Sequence, residues 1–506
     1  MDTQHLQRFT LLFFVSLVAA IIVLVATLNG VSISPDSISY LATADHILLE
    51  HKFITYNDRP YVSWPPLYPL ILTLFTILGS NPLEAVRLLN AVTVALTVLV
   101  ASSWLLTRIS RRLFAFLGIL LTTFSSPLIF VSAHLWTEPL FVLFTVLCLI
   151  MIDEYLRGRR RLLLVAAFLA GLTWITRYAG ITVVISGAIL ILLGRGKTKQ
   201  RDLTAFLAIS GTPIVIWIAH NLVVSGTAMG GRSQSNSTLL DNIFRSFEVM
   251  SKWFFPEALL SRTHGYIRLT SAIVGIIALA EMLHFQLRHM RKRIPHRGLQ
   301  SFPFVLYILI YLSFMLFTAT TTVFDPLDDR LLVPLHIPLV LLITSVLDSV
   351  NLELNTRGRR VKFALSVALL VVSVGNGVLD SFRVIAEIGS DPLGYNSMQW
   401  RNSQTMAHLR TITEQADFYS NYPETLYFSA GKVSHYLPAK SDNPTTAVEE
   451  FRDMLEDATA PIYLVWLNYD RNGFYSSSEL LLVLNLDLVF VGEDGDIYRL
   501  VPSSES

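Results

Sequence analysis

Hydrophobic positions in this chain fall into long unbroken runs, not into the alternation of a half-buried strand or the narrow stripe of a surface helix. Apolar stretches cover 10–28, 83–107, 113–133, 138–156, 203–224, 266–287, 302–322, 331–350 and 363–381. Each is close to the roughly 20 residues that cross a bilayer as a helix. A further run, 162–194, would extend about 50 Å as one helix at about 1.5 Å per residue, well beyond a hydrocarbon core of about 30 Å. Arg177 interrupts it, so the pattern predicts two short helices meeting near Arg177, and eleven spans in all. The run 66–79 is too short to cross and reads as a re-entrant or interfacial helix.

The polar segments between these runs have a consistent sidedness. With the N-terminus inside, the cytoplasmic segments carry Arg8, then Arg108, Arg111 and Arg112, then Arg157 and Arg159 to Arg161. They continue with Arg195, Lys197, Lys199 and Arg201, then Arg288, Arg291 to Arg293 and Arg297, then Arg357, Arg359, Arg360 and Lys362. Together these are 21 of the 39 basic residues, and every tight cluster obeys the positive-inside rule. Treating 66–79 as a span, or 162–194 as one, would send later clusters outside. The expected location is therefore a multi-pass plasma (inner) membrane, with loop 30–64, the junction at Trp136 to Pro139, loop 225–265, the segment 324–330 and the tail facing outward.

The tail has another texture. Two domains are expected: 1–382 in the membrane and 383–506 as a small extracytoplasmic α/β domain. Residues 396–412 and 445–457 read as amphipathic helices, and Leu426 to Ala430, Ile462 to Asn468 and Leu486 to Val491 as strands. Glu493 to Asp496 turns into Ile497 to Val501 as a terminal hairpin. Strands mixed with helices suggest an α/β layer. No internal repeat or low-complexity linker interrupts the chain.

Composition agrees with the pattern: 52% of residues are hydrophobic and 15% charged, and the mean hydropathy is +0.52, outside the range of soluble domains. A net charge of +1 gives no global basic field for nucleic acid. The single cysteine, Cys148, excludes an internal disulfide and metal sites of the Cys-x-x-Cys kind. Without a small-residue cleavage site after it, run 10–28 reads as a retained helix.

Candidate chemistry gathers on the outer side. Loop 30–64 is dense in ionisable residues, and Asp36 follows Pro35 soon after the first span. A carboxylate there can act as general base on a hydroxyl. It can equally cap the helix that Pro-Asp-Ser opens, and the two roles are compatible. Asp45 and Glu50 read as solvated positions of that helix. Glu138, in Thr-Glu-Pro at the mouth of a span, suits the helix dipole. At the depth of Asp36, it could also orient an acceptor or help hold a divalent cation. Arg177 and Arg330 lie at outer helix ends, where an arginine is usually paired or binds an anion, and the planar guanidinium suits phosphate. For Arg330 the alternative is pairing with Asp325, Asp328 or Asp329. His220-Asn221 and Gly230-Gly231-Arg232 border the third outer loop, the latter reading equally as a turn.

These motifs in this order are similar to those of GT-C glycosyltransferases, specifically the protein O-mannosyltransferase-like group that includes aminoarabinose transferases of lipid A. The resemblance rests on Pro35-Asp36 with Tyr40, Trp64 to Pro69, Thr137 to Leu140, Leu172 to Gly180, Gly226 to Ser233, and Asp329 to Pro338 with its Leu-Pro-x-x-Pro helix. In the tail, Tyr419 to Asn421 and Leu426 to Phe428 add to it. The resemblance implies a polytopic α-helical GT-C-like fold and a donor sugar on a polyprenyl phosphate. It implies Asp36 as base, with Glu138 as a second catalytic acid, and an acceptor hydroxyl attacking the anomeric carbon with inversion. Arg177 and Arg330 resemble the phosphate-binding arginines; Tyr40, Tyr178 and His220 would help bind substrate. Helix 66–79 would lie under the donor's lipid tail. Two places depart from the pattern. The relatives carry a lysine directly before Pro-Pro, where this chain has Trp64, so Lys52, Arg59 or Arg232 would have to supply that contact. The Arg-Asn pair before the third outer loop is His220-Asn221.

No cofactor is required by this reading beyond a possible divalent cation. The expected partners are the polyprenyl-linked donor, a lipid, glycan or protein acceptor, and membrane lipids. The rivals are a secondary transporter or lipid-carrier flippase, which should carry mid-bilayer charges and inverted repeats, and a glycan polymerase or ligase using a diphosphate lipid.

Overall fold

The structure is a computed structural model that describes residues 3–194, 198–256, 301–323, 325–352, 358–440, 444–456, 460–469, 471 and 473–501. The expected span 266–287 lies outside these residues, as do Arg195, Lys197, Arg357 and the basic cluster 288–297. The chain divides into two compact units: residues 1–29, 62–68 and 83–390 form the first, and 30–61, 69–82 and 391–506 the second.

The first unit is a helical bundle. Among the described residues, eight helices are long and apolar enough to cross a membrane, from His5–Ala26 to Arg360–Ser390. Every expected span outside 266–287 has a helix over it. Residues 162–194 are divided as the length argument requires, into Leu162–Thr176 and, after a 3-10 turn at Tyr178–Gly180, Ile181–Leu193. Large apolar side chains face the lipid side of several helices, with Phe9, Phe13 and Phe14 on the first more than half exposed. That exposure would be costly in water and is ordinary in a bilayer. One interruption was not expected. Within Arg112–Ser132 the helix stops at Thr123 and restarts at Ser126, because Pro127 has no amide to continue the ladder. Ser125, freed by the break, hydrogen-bonds His336 Nδ1 at 2.9 Å.

The second unit joins the first polar loop to the tail. Its sheet has the order β2-β1-β3-β5-β4, where β1 is Asp417–Ser420, β2 Ser434–Tyr436, β3 Ile462–Leu467, β4 Leu486–Val491 and β5 Gly495–Leu500. The β1–β2 and β1–β3 pairs are parallel, while β3–β5 and β4–β5 are antiparallel. Strands β3, β4 and β5 fall where the sequence predicts them, but Leu426 to Ala430 is not a strand. It lies in the helix Pro423–Ala430, which Pro423 opens and Gly431 closes at φ 65°. Those end signals outweigh the aromatic content that suggests a strand. Likewise 396–412 forms two short helices, Met398–Arg401 and Gln404–Leu409, because Ser403 caps the second. The segment Leu67–Ile77 is a helix of 11 residues, about 16 Å long and so unable to cross. Its Thr73 hydroxyl donates to Ala44 O (3.2 Å) on the helix Pro35–Glu50.

Candidate active site

In the first unit the decisive element is the break at Arg177. Helix Leu162–Thr176 ends as Arg177 adopts an extended conformation (φ −147°, ψ 141°). The chain doubles back so tightly that a Cβ on Gly180 would sit 2.4 Å from the Thr173 carbonyl carbon; only glycine permits this approach. The turn aims the Arg177 side chain at the start of the helix Glu138–Leu156. There Arg177 Nη1 donates to Thr137 Oγ1 at 3.0 Å and to Glu138 Oε1. Arg330, on the short helix Asp329–Leu332, donates its Nε to the same Glu138 oxygen at 2.7 Å. Three residues far apart in sequence thus meet at one carboxylate oxygen.

Glu138 is completely buried, so the cap-like surface role expected for it does not hold. A buried carboxylate needs paired charge, and two guanidiniums supply it. Of the aspartates given as alternative partners for Arg330, Asp325 is the weaker contact, with Oδ2 3.9 Å from Nη1. One carboxylate between two guanidiniums leaves an excess of one positive charge at a helix start, a setting for an anion. Arg330 also lies with its guanidinium carbon 4.3 Å from the Trp136 ring centre, and Trp136 stacks on His134 at 3.9 Å and 12°. His134 is buried, and its Nδ1–H donates to Phe130 O (2.8 Å). Burial pushes its pKa down to about 4, so the ring is neutral near pH 7 and does not oppose the arginine.

Beside this group Tyr178 is a hub. Its hydroxyl donates to Val62 O (2.8 Å) and accepts from Trp217 Nε1 (3.1 Å) and Asn221 Nδ2 (3.1 Å). Asn221 also donates to Ala228 O at 2.8 Å. Of the pair expected at the third outer loop, Asn221 makes these links; His220 stacks on Trp217 at 5.0 Å. Gly230 takes φ 78° and an added Cβ would meet Ser63 Oγ at 2.8 Å, so this glycine makes a turn, and Arg232 is exposed. The loop then pairs with residues after the helix Phe302–Thr321, through Val323 N to Ser233 O at 2.8 Å. A cavity of about 450 Å³ lies along the helix Leu239–Lys252 and reaches Asp325, with Asp241, Arg245, Glu248 and Lys252 on its walls.

Asp36, Tyr40, Lys52 and Arg59 belong to the second unit. Asp36 is half-buried in the first turn of Pro35–Glu50, but the capping role expected for it falls to Ser34. Ser34 Oγ accepts from Ser37 N (3.4 Å) and Ser34 N donates to Ser37 Oγ (3.0 Å), a complete capping box. Tyr40 is buried, edge-on to Tyr61 at 6.5 Å. Lys52 is exposed and paired with Glu50 at 3.1 Å, and Arg59 is exposed. Asp45, read as solvated, is instead shielded enough that burial raises its pKa from its ordinary value, while Tyr427 Oη donates to it at 3.4 Å. Among the described residues no group of three or more His, Cys, Asp and Glu converges on a point that could hold a metal.

Residues 63–223 match the family model described as Dolichyl-phosphate-mannose-protein mannosyltransferase. A comparison with curated protein sequences returns no match. Among solved structures, ArnT from Cupriavidus metallidurans in the apo state is similar with a TM-score of 0.60 at 14% identity, over 97% of this chain and 98% of that one. The same protein bound to undecaprenyl phosphate gives 0.59 at 13% identity, over 98% of both chains. Arabinofuranosyltransferase AftD from Mycobacteria gives 0.59 at 13% identity, over 98% of this chain and 40% of that one. The chain thus shares the fold of the ArnT structures almost from end to end, and its residues 63–223 resemble a dolichyl-phosphate-mannose-protein mannosyltransferase family model.

Proposed function

We propose that this protein moves a sugar from a polyprenyl-phosphate carrier to an acceptor hydroxyl on the extracytoplasmic face of the plasma membrane, inverting the anomeric carbon. The observation that carries the reading is the convergence of Arg177 and Arg330 on the buried Glu138. In this reaction the donor is a phosphodiester with one negative charge, and the departing polyprenyl phosphate gains a second. The two guanidiniums meet that developing charge, and because Glu138 already fixes them, little reorganisation is needed as the bond to the anomeric carbon breaks. Glu138 is then a positioning residue for the arginines. Its single charge is occupied by two cations, which leaves it unsuited to holding a metal ion.

Asp36 is the general base of this reading. It takes the proton from the acceptor hydroxyl as the oxygen attacks, and carboxylate, proton, sugar and phosphate balance without any redox partner. The sidedness rests on the basic clusters, which the positive-inside rule assigns to the cytoplasm. The polar walls of the cavity by Asp325 suit a hydroxyl-bearing acceptor, and undecaprenyl phosphate, the ligand of the similar ArnT structure, is the natural probe of the carrier site. The test is the Asp36→Asn variant in purified full-length protein. Transfer should fall by about 10²–10⁴, the usual contribution of a general base, while undecaprenyl phosphate still binds. Substantial remaining turnover would remove Asp36 from the chemistry.

A further inference from the structure

The second unit contains a buried ionic cluster that the reaction above does not use. Glu424 is completely buried and receives Arg471 Nη1 at 2.7 Å, Tyr395 Oη at 2.7 Å and Tyr436 Oη at 3.2 Å. Arg471 is packed against the rings of Tyr422 (4.7 Å) and Tyr436 (5.4 Å). Both Glu424 and Arg471 lie in the tail, yet two strands of hydrogen bonds run from Glu424 to the first polar loop. Through Tyr436, the cluster reaches Tyr56, whose hydroxyl lies 3.1 Å from that of Tyr436.

The other link is shorter and ends at Ile33, three positions before Asp36. The backbone around Tyr395 pairs in parallel with residues 31–33: Ile33 N donates to Leu393 O (3.1 Å) and Tyr395 N to Ile33 O (2.9 Å). Leu393 N donates to Ser32 Oγ at 2.9 Å, and Asn396 Nδ2 to Val31 O at 2.7 Å. Between them Gly394 has φ 67°, and a Cβ there would lie 2.0 Å from Ile33 O. The next residue after Ile33 is Ser34, the cap of the helix that bears Asp36 two positions later. A bare backbone pairing of three residues would fray; a buried, charge-assisted anchor through Tyr395 prevents that.

We infer that Glu424, acting through Tyr395 and the Gly394 pairing, is a positioning residue that holds the start of the Asp36 helix in register. The tail domain thereby takes part in catalysis without touching substrate. This rests on Asp36 being the base, and the experiment separates the two ideas. Tyr395→Phe removes one hydroxyl from Glu424, and Gly394→Ala drives a methyl into Ile33 O; both are made in the full-length protein. Three readings are taken: hydrogen exchange of residues 31–40, binding of undecaprenyl phosphate, and release of polyprenyl phosphate during transfer in native membrane vesicles.

Exchange over 31–40 should quicken in both variants while carrier binding stays within twofold. Turnover at saturating substrate should fall about tenfold in Tyr395→Phe and about a hundredfold in Gly394→Ala, the scale expected when a catalytic group moves by about 1 Å. Should Gly394→Ala fail to fold, Tyr395→Phe alone decides. Unchanged exchange over 31–40 in Tyr395→Phe overturns the anchor, whatever the base is. Quickened exchange with full turnover overturns its catalytic role. The base itself is judged separately by Asp36→Asn, so loss of that assignment would appear as turnover surviving in Asp36→Asn with exchange still raised in Tyr395→Phe.

Discussion

Replacing Glu138 by glutamine distinguishes a carboxylate that holds arginines from one that moves protons. Glutamine keeps the shape and one acceptor oxygen, so Arg177 and Arg330 retain a partner but lose its charge. Hydrogen bonds to a charged group contribute about 1.5–3 kcal/mol against about 1 kcal/mol for neutral pairs. Weakening two such contacts removes about 2 kcal/mol in total, which at about 1.4 kcal/mol per decade is a fall in turnover of roughly 30-fold. The ground state moves the other way, because the excess positive charge rises from one to two and a lipid phosphate is held at least as well. The assay pairs polyprenyl phosphate release during transfer with direct binding of undecaprenyl phosphate in nanodiscs. The account expects turnover down about 30-fold with an unchanged pH profile and affinity equal or higher. Unchanged turnover, or the loss of one limb of the pH–rate profile, would refute it; the latter would make Glu138 an acid or base.

Other consequences follow from the same contacts. Arg330→Lys keeps the charge but loses the planar stack on Trp136 and the Nε hydrogen bond to Glu138, so undecaprenyl phosphate affinity should fall about tenfold; titration in nanodiscs checks it. Tyr178→Phe removes the one hydroxyl shared by Val62, Trp217 and Asn221, and the melting temperature should drop by an amount matching about 1–3 kcal/mol of unsatisfied polar groups. Because the native Cys148 is buried, single cysteines placed beside Arg160 and in the tail report sidedness directly. A membrane-impermeant maleimide should label the tail position in intact cells and leave the Arg160 position unlabelled until lysis.

Much of the scaffold was legible because membrane physics leaves few alternatives. A 33-residue apolar run cannot be one helix, and Arg177 was the place to divide it. The candidate residues are legible as a list, but their arrangement is not. Glu138, Arg177 and Arg330 each read as an outer-face residue with a bland alternative, and nothing in the local sequence states that they meet at one oxygen. His134 and the Trp136 face carry no local signal that points to Arg330, which lies far along the chain. Asp36 reads as a helix cap from its place after Pro35, whereas Ser34 and Ser37, three apart, form the capping box. In the tail, the aromatic content of Leu426 to Ala430 suggests a strand, while Pro423 and Gly431 bound the helix that forms. The anchor at Glu424 depends on Tyr56, Tyr395, Tyr436 and Arg471, spread over hundreds of positions, and such long-range contacts leave no periodic trace.

The most direct measurement is made on lipids. Extracts of cells lacking this protein, compared with cells restored with the native chain or with Asp36→Asn, should accumulate a sugar linked to polyprenyl through a single phosphate, in the deletion and in Asp36→Asn but not in the native control. Accumulation of a diphosphate-linked lipid, or no change in any polyprenyl-linked sugar, would contradict the account.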